Sequence, residues 1–502
     1  MTLKDANARR GALCGALLAG LAGCAAGPDF HPPAAPAVEA YRKDALPAVT
    51  SQAPAPTGDA QRFVAGADVP AQWWTGFGNA ELDRRITQAL AHSPTVASAQ
   101  AALRQAQENA NAARGSLLPS VDANVGVRRA NANSLGVGST GPVAPSVFTL
   151  YNAGVKVDYT LDLFGAVRRG VEVQTAAIDY QRFQLEGTYL TLAANVATAS
   201  FREASLRGQI GVTGEIIAAY NKELKLVEAQ HEIGAKSLAD VLVVRTQVAA
   251  AEATLVPLRQ QLAQTQTQLA VYLGEFPSQT EFSALDLDAL NLPRGVPVSL
   301  PSTLTRQRPD VRAAEATLHQ ATAHVGVAAA NLFPQVTLGG SLGSSALHSG
   351  DLFASGTKAW SIGANLLQPI FHGGSLRAQK RAAEAGLDKA AADYQQTVLV
   401  AFQNVADSLR ALELDADNLK AQAQAEQSAS KSLELVRVQY HDGAASYLQE
   451  LDATRQYQQA RLGLIQARAA RLADTAALYT ALGGGWKGDS VTPLAANEPT
   501  TK

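Results

Sequence analysis

The sequence predicts an α+β membrane protein written as a tandem duplication, and three observations carry that prediction. The text repeats itself at a nearly constant offset, each half holds two runs of strict apolar–polar alternation, and each half also holds very long proline-poor helical text. Setting His92-Ser93-Pro94-Thr95-Val96 against Gln307-Arg308-Pro309-Asp310-Val311, an offset of 215, also aligns Leu103 with Leu318, Gln105 with Gln320 and Leu118-Pro119 with Phe333-Pro334. Farther on, Leu163-Phe164 matches Ile370-Phe371 at an offset of 207, while Gly234-Ala235 matches Gly443-Ala444 and Leu273-Gly274 matches Leu482-Gly483 at 209. Units of roughly two hundred residues are too long for a solenoid repeat.

Each half reads in the same order. The Ala-rich text of 82–117, with Ile86, Leu90, Val96 and Leu103, predicts one helix stopped at Pro119, and 304–332 does the same before Pro334. Alternation follows each proline. Val121, Ala123, Val125 and Val127 share one face while Asp122, Asn124, Gly126 and Arg128 share the other, and the longer run from Tyr151 to Leu163 repeats the pattern. The second half matches it with Val336, Leu338 and Leu342 and with Trp360, Ile362, Ala364 and Leu366. A period of two with one polar face fits a sheet wet on one side, and the strands are expected at 119–128, 147–164, 334–344 and 358–371.

The helical text then takes over. Ile178, Leu185, Tyr189, Leu192 and Val196 recur at helical spacing, as do Leu387, Tyr394, Val398, Phe402, Val405, Leu409 and Leu412. A helix over 165–232 would be about 100 Å long at 1.5 Å per residue, which suits helix packed on helix rather than a compact core. Gly234 and Gly443 stand where these helices should reverse, the return helices should end near Gly274 and Gly483, and Pro257 should kink the first of them.

The N-terminus reads as a targeting signal. Lys4, Arg9 and Arg10 precede an apolar run from Gly11 to Ala22 that ends Leu21-Ala22-Gly23-Cys24, the pattern of a bacterial lipobox in which cleavage before Cys24 leaves a thiol that carries lipid. Cys14 and Cys24 are the only cysteines, so the body has no Cys-based zinc site or disulfide framework. The following Pro- and Ala-rich stretch, up to about Ala60, is expected to be extended and coreless. No later segment reaches eighteen uninterrupted apolar residues, so any membrane crossing must be made by strands. With 42 basic against 44 acidic residues, a nucleic-acid binder held by bulk charge is excluded.

Catalytic motifs fail on context. Gly339-Gly340-Ser341-Leu342-Gly343 spells a nucleophile elbow, yet lies inside an alternating strand. Gly136 to Gly141 spells G-x-G-x-x-G, yet Pro142 and a strand follow it instead of a helix. His319 and His324 are five apart, which misses the spacing of a helical metal pair, and read as ordinary surface histidines. No enzyme, metal or cofactor is expected.

Four strands cannot close a barrel whose stable minimum is about eight, so several copies must contribute. Tyr151, Tyr159 and Trp360 fall on the outward alternation, where interfacial aromatics of an outer-membrane barrel sit. Here the residues resemble a known family, the TolC-like outer-membrane efflux proteins, and within it the lipoprotein OprM-like (NodT) group. The resemblance rests on Cys24 with Gly27-Pro28-Asp29-Phe30, Trp73-Trp74 with Phe77 and Leu82, Leu117-Leu118-Pro119, Asp162-Leu163-Phe164-Gly165, Leu451-Asp452 and Ala481-Leu482-Gly483-Gly484-Gly485-Trp486. One departure is Ser93, where the family commonly has Asn.

The resemblance implies a homotrimer with a twelve-stranded barrel, four strands per chain, continued by a periplasmic helical barrel, lipid-anchored at Cys24 in the outer membrane. It further implies a periplasmic adaptor and an inner-membrane pump as partners, and efflux of small molecules as the role. A protein-secretion duct of the same fold and, more distantly, a lipid-anchored envelope scaffold are the alternatives. On this reading the chain divides into a signal (1–23), a lipidated extended segment (24–72), a first repeat (73–274), a linker (275–300), a second repeat (301–486) and a tail (487–502). Leu448, Asp452 and Arg455, at i, i+4 and i+7 on one helical face, match the positions that narrow the family's tunnel, while the first-half counterparts Val243 and Thr246 are uncharged. Adaptor docking is expected at Gly234, Ala235 and Ser237 and at Gly443, Ala444 and Ser446.

Overall fold

The structure is a computed structural model that describes residues 25–132 and 146–484. Cys24 and the Gly136–Gly141 motif lie outside the described residues. The helices are α1 (Ala80–His92), α2 (Pro94–Gly115), α3 (Ala166–Glu232), α4 (Leu238–Leu273), α5 (Pro301–Gln307), α6 (Pro309–Ala330), α7 (Ser375–His441) and α8 (Tyr447–Ala481). The strands are β1 (Arg62–Ala65), β2 (Ser120–Ala132), β3 (Ser146–Leu161), β4 (Gly295–Val298), β5 (Gln335–Ala346) and β6 (Lys358–Leu367).

Where the text of 82–117 suggested one helix, there are two. Ser93 is extended at φ −64° and ψ 127°, because a proline at position 94 disfavours helical dihedrals in the residue before it. Pro94 then opens α2, where its missing N–H costs nothing. Arg308 and Pro309 make the same break between α5 and α6, with Arg308 at ψ 124°. The departure at Ser93 is thus absorbed in this joint, where its Oγ accepts from the Thr95 N–H at 3.3 Å.

The four long strands form one antiparallel sheet in the order β2-β3-β5-β6. They end later than expected at Ala132 and Ala346, and earlier at Leu161 and Leu367, since Pro369 cannot donate to a ladder. The register places Val125, Ala153 and Ser344 on one face and Asp122, Lys156, Ser341 and Ser361 on the other. Both faces are open. Val125, Leu342, Trp360 and Ile362 are all more than 60% exposed, an apolar surface that water would not tolerate. The outer edges, β2 and β6, have no partner strand among the described residues.

Elements of matching length stand in the two halves of the sequence. Both α3 and α7 have 67 residues, and both follow a glycine in the left-handed region, Gly165 at φ 82° and Gly374 at φ 83°. The helix starts differ by 209, and the hairpin pairs Ser120–Asp158 and Gln335–Leu367 differ by 215 at their first members and again by 209 at their second. The apparent match of Phe164 with Phe371 at 207 is therefore two residues out of structural register.

The chain forms two compact units, residues 1–33, 103–181 and 314–394 in one and 34–102, 182–313 and 395–502 in the other, so each draws on both halves. The first holds the long strands. In the second, Val212, Ile216 and Tyr220 of α3 pack with Val248 and Ala251 of α4 and Leu451 of α8. Arg85 of α1 is fully buried there and binds Glu203 of α3 at 2.7 Å, Glu81 at 2.9 Å and the Ser283 carbonyl at 2.7 Å.

Three further differences are local. The Pro-rich segment is pinned rather than free: Arg42 bonds Glu413 at 2.8 Å, Asp44 bonds Arg410 at 2.6 Å, and Ala53 packs against Leu419, Ala423 and Ala467. Its β1 pairs in parallel with β4, inside the stretch expected to be a linker. α4 runs on through Pro257, and it is the one helix among the described residues long and apolar enough to span a membrane by composition, although only 17% of its apolar window is buried. Leu242, Val243 and Val256 lie bare on it.

Candidate functional site

Two helix reversals and the helix that leaves the second carry every residue singled out for docking or gating. At the first, Gly234 takes φ 77° and the Ala235 N–H reaches back to the Gln230 carbonyl at 2.8 Å; at the second, Gly443 takes φ 76° and the Ala444 N–H reaches Gln439 at 2.7 Å. Such left-handed residues satisfy the last carbonyls of a helix, which only glycine does without strain. A Cβ added at either glycine would meet nothing within 4 Å, so both turns present bare, open backbone.

Ser237 and Ser446 have a structural task as well. Each caps the next helix and receives a reciprocal bond, Ser237 with Asp240 and Ser446 with Gln449. The S-x-x-D and S-x-x-Q spacing was a readable capping signal in the text.

The two reversals are fastened to each other. Tyr447, the first residue of α8, packs with Val227, Val241 and Val244 of the first hairpin, and the Lys236 ammonium lies 5.3 Å from its ring centroid. Burial, with Glu223 facing the phenol, pushes the Tyr447 pKa up, and burial likewise raises Glu223. Higher on the same pair of helices, Glu215 meets Arg461 at 2.5 Å and Tyr220 meets Gln458 at 3.3 Å. Sequence reasoning missed this ladder, because its partners lie more than two hundred positions apart.

Leu448, next to Tyr447, is exposed, and one turn farther on Asp452 binds Arg455 of its own chain at 2.6 Å and Gln456 at 2.6 Å. The pair is open to solvent and spans i, i+3, so it adds only a few tenths of a kcal/mol to the helix.

Elsewhere the decoys resolve. Ser341 shares a 2.8 Å hydrogen bond with Ser361 across two strands. His319 is not an ordinary surface residue: Glu172 binds its Nε2 at 2.9 Å and Phe30 stacks on it at 4.3 Å, beside the Asp29–Arg169 pair at 2.6 Å. Among the described residues no group of three or more His, Cys, Asp or Glu could hold a metal.

With this geometry in hand, comparison with known proteins is direct. The family description "Outer membrane efflux protein" matches residues 85–275 and 300–484. The pyoverdine export outer membrane protein OpmQ of Pseudomonas aeruginosa is 33% identical over 423 residues, 83% of this chain and 88% of that protein. The toluene efflux pump outer membrane protein TtgC of Pseudomonas putida is 31% identical over 472 residues, 93% of each. The structure of the outer-membrane channel OprN superposes with a TM-score of 0.81 at 26% identity, covering 92% of this chain and all of that one. A protein whose two matched segments carry the four long strands, the long helices and both reversals is an outer-membrane protein of the outer membrane efflux protein family, to which this chain belongs.

Proposed function

We propose that the chain is the passive exit duct of a tripartite efflux system: three copies close a twelve-stranded barrel, and a periplasmic adaptor delivers small molecules from an inner-membrane pump into the tunnel below it. The observation that carries this reading is the four-stranded sheet, apolar on one face, polar on the other and, among the described residues, unpartnered at both edges. Only closure with further strands satisfies those edges inside a membrane. The bare apolar stripe of α4 supports the same conclusion, since neighbouring copies would cover it. Pyoverdine export by OpmQ and toluene efflux by TtgC favour a small-molecule cargo over a protein.

On this reading the adaptor docks at Gly234, Ala235 and Ser237 and at Gly443, Ala444 and Ser446, where open backbone admits another helical tip. The gate is the threefold ring of Leu448, Asp452 and Arg455, with Leu448 as the apolar constriction and Asp452 as a carboxylate ring that attracts cations. Asp452→Ala combined with Arg455→Ala should raise single-channel conductance in a planar bilayer and reduce cation preference. Unchanged conductance and selectivity would sink the gate, and a wild-type protein that conducts nothing would sink the duct.

Cys24 completes the proposal as the lipidated N-terminus. Mass spectrometry of membrane-extracted protein should find acyl mass on a peptide starting at Cys24, and an unmodified terminus elsewhere would refute the anchor. The anchor is secondary to the barrel, because one lipidated terminus adds little to a structure that already spans the membrane.

A further inference from the structure

We infer that Arg129 and Lys358 bind lipid-borne phosphate on the outward face of the sheet, and that the occupant is a phosphorylated glycolipid of the outer leaflet. The inference rests on the barrel reading above and adds a ligand to the barrel's outer wall.

All four long strands join helices at one end. β2 follows α2, β3 runs into α3, β5 follows α6 and β6 runs into α7, so Ser120, Leu161, Gln335 and Leu367 mark the periplasmic end and Ala132, Ser146, Ala346 and Lys358 the outer one. The face of Val125 is uncharged from the pair Val121–Val157 up to Val127–Tyr151. Its charged residues among those described are Arg129, opposite Thr149, and Lys358, opposite Ser344, and no Asp or Glu shares the face with them. The other face mixes signs, with Asp122, Arg128, Lys156 and Asp158. Positive charge alone, at the outer end alone, complements a leaflet whose headgroups are anionic.

The depth of the two bases fits that leaflet. Arg129 lies nine residues from Ser120, and Lys358 nine from Leu367, which is about 30 Å along a strand and about 23 Å along the axis of a barrel whose strands tilt by about 40°. The apolar band of such a barrel is about 25 Å tall, so both bases stand at its outer rim, where a charge costs little. On the same face, Trp360 is the next position inward from Lys358, and Tyr151 faces Val127, the next position inward from Arg129. An aromatic girdle with a base just above it is the order expected at headgroup level.

Nothing in the protein claims these charges. Both side chains are exposed, and neither makes an ion pair among the described residues. Asp351, the one acid between β5 and β6, lies 3.5 Å from His348, and the sequence of 133–145 holds no charged residue. A guanidinium takes phosphate oxygens in a bidentate fork and an ammonium takes them as a point charge.

Native mass spectrometry of the full-length protein in detergent, with bisphosphorylated lipid A added, reads the site. Arg129→Gln with Lys358→Gln should weaken binding about thirty-fold, two bases at about 1 kcal/mol each. The charge-keeping Arg129→Lys with Lys358→Arg should stay within a few-fold of wild type. Arg128→Gln, one residue away but on the other face, should leave lipid A binding unchanged, and excess inorganic phosphate should not displace the lipid. A glutamine pair that binds like wild type, an equal loss from Arg128→Gln, or displacement by inorganic phosphate would overturn the inference. On the wild type itself, lipid A stripped of both phosphates should bind far more weakly, and equal binding would overturn the inference even if no variant folded. Reconstitution into phosphatidylcholine vesicles separates the two readings: a wild type that inserts yet ignores the phosphates refutes the site and spares the barrel, whereas one that does not insert refutes the barrel.

Discussion

Arg85→Ala should destabilise the folded chain by about 3–5 kcal/mol, the range for removing one partner of a buried ion pair. The guanidinium is wholly inaccessible and ties three pieces of chain together: Glu81 on its own helix, Glu203 on α3 and the Ser283 carbonyl in the loop after α4. Without it the Glu203 carboxylate stays buried, with Arg207 at 2.8 Å and Gln266 at 3.4 Å as remaining partners, which places the loss toward the lower end. Thermal unfolding of the detergent-solubilised protein measures the effect. A shift no larger than that of Arg84→Ala, whose side chain is half exposed on the same helix, would show that the buried pair is not holding α1 to α3.

That buried pair marks the boundary of what the text could reveal. Alternation from Val121 to Val127 and from Tyr151 to Leu161 announced strands because a sheet facing two different media must alternate, and the long helices announced themselves by spacing alone. The breaks at Ser93 and Arg308 were legible in principle through the prolines that follow, but the helical text on either side masked them. Arg85, Arg471 and the ion pairs that pin the Pro-rich segment were not legible, because each joins residues more than a hundred positions apart and no local pattern marks a charged residue that will be buried. Arg471 shows the cost of such burial: desolvation pulls its pKa down to about 10 while it bonds Thr50 at 3.0 Å and the Asp59 carbonyl at 2.8 Å. Nearby, burial and the facing Asp474 push Asp415 up to about 7.

The candidate gate divides in the same way. Spacing put Leu448, Asp452 and Arg455 on one face, and the helix of α8 keeps them there. The clamp behind them, Tyr447 under Lys236 and against the first hairpin, needed the fold, since Lys236 lies in a turn whose position relative to α8 no periodicity encodes.

Val157→Arg should reduce barrel insertion by about 2–4 kcal/mol, the cost of an arginine on the lipid face near mid-membrane. Val157 sits on β3 between Val121 of β2 and Gly340 of β5, on the face that also carries Val125, Leu342 and Trp360. Its neighbour Lys156 points to the other face, where it binds Asp158 at 2.7 Å and stands beside Asp122 and Ser341. Because side chains alternate, a one-residue step exchanges lipid for water, so Lys156→Glu should leave insertion intact and shift ion selectivity toward cations instead. Heat-modifiable migration on gels reports insertion, and reversal potentials in a planar bilayer report selectivity. If Val157→Arg inserts as well as Lys156→Glu, the apolar face is not the lipid face and the sheet must be wet on both sides.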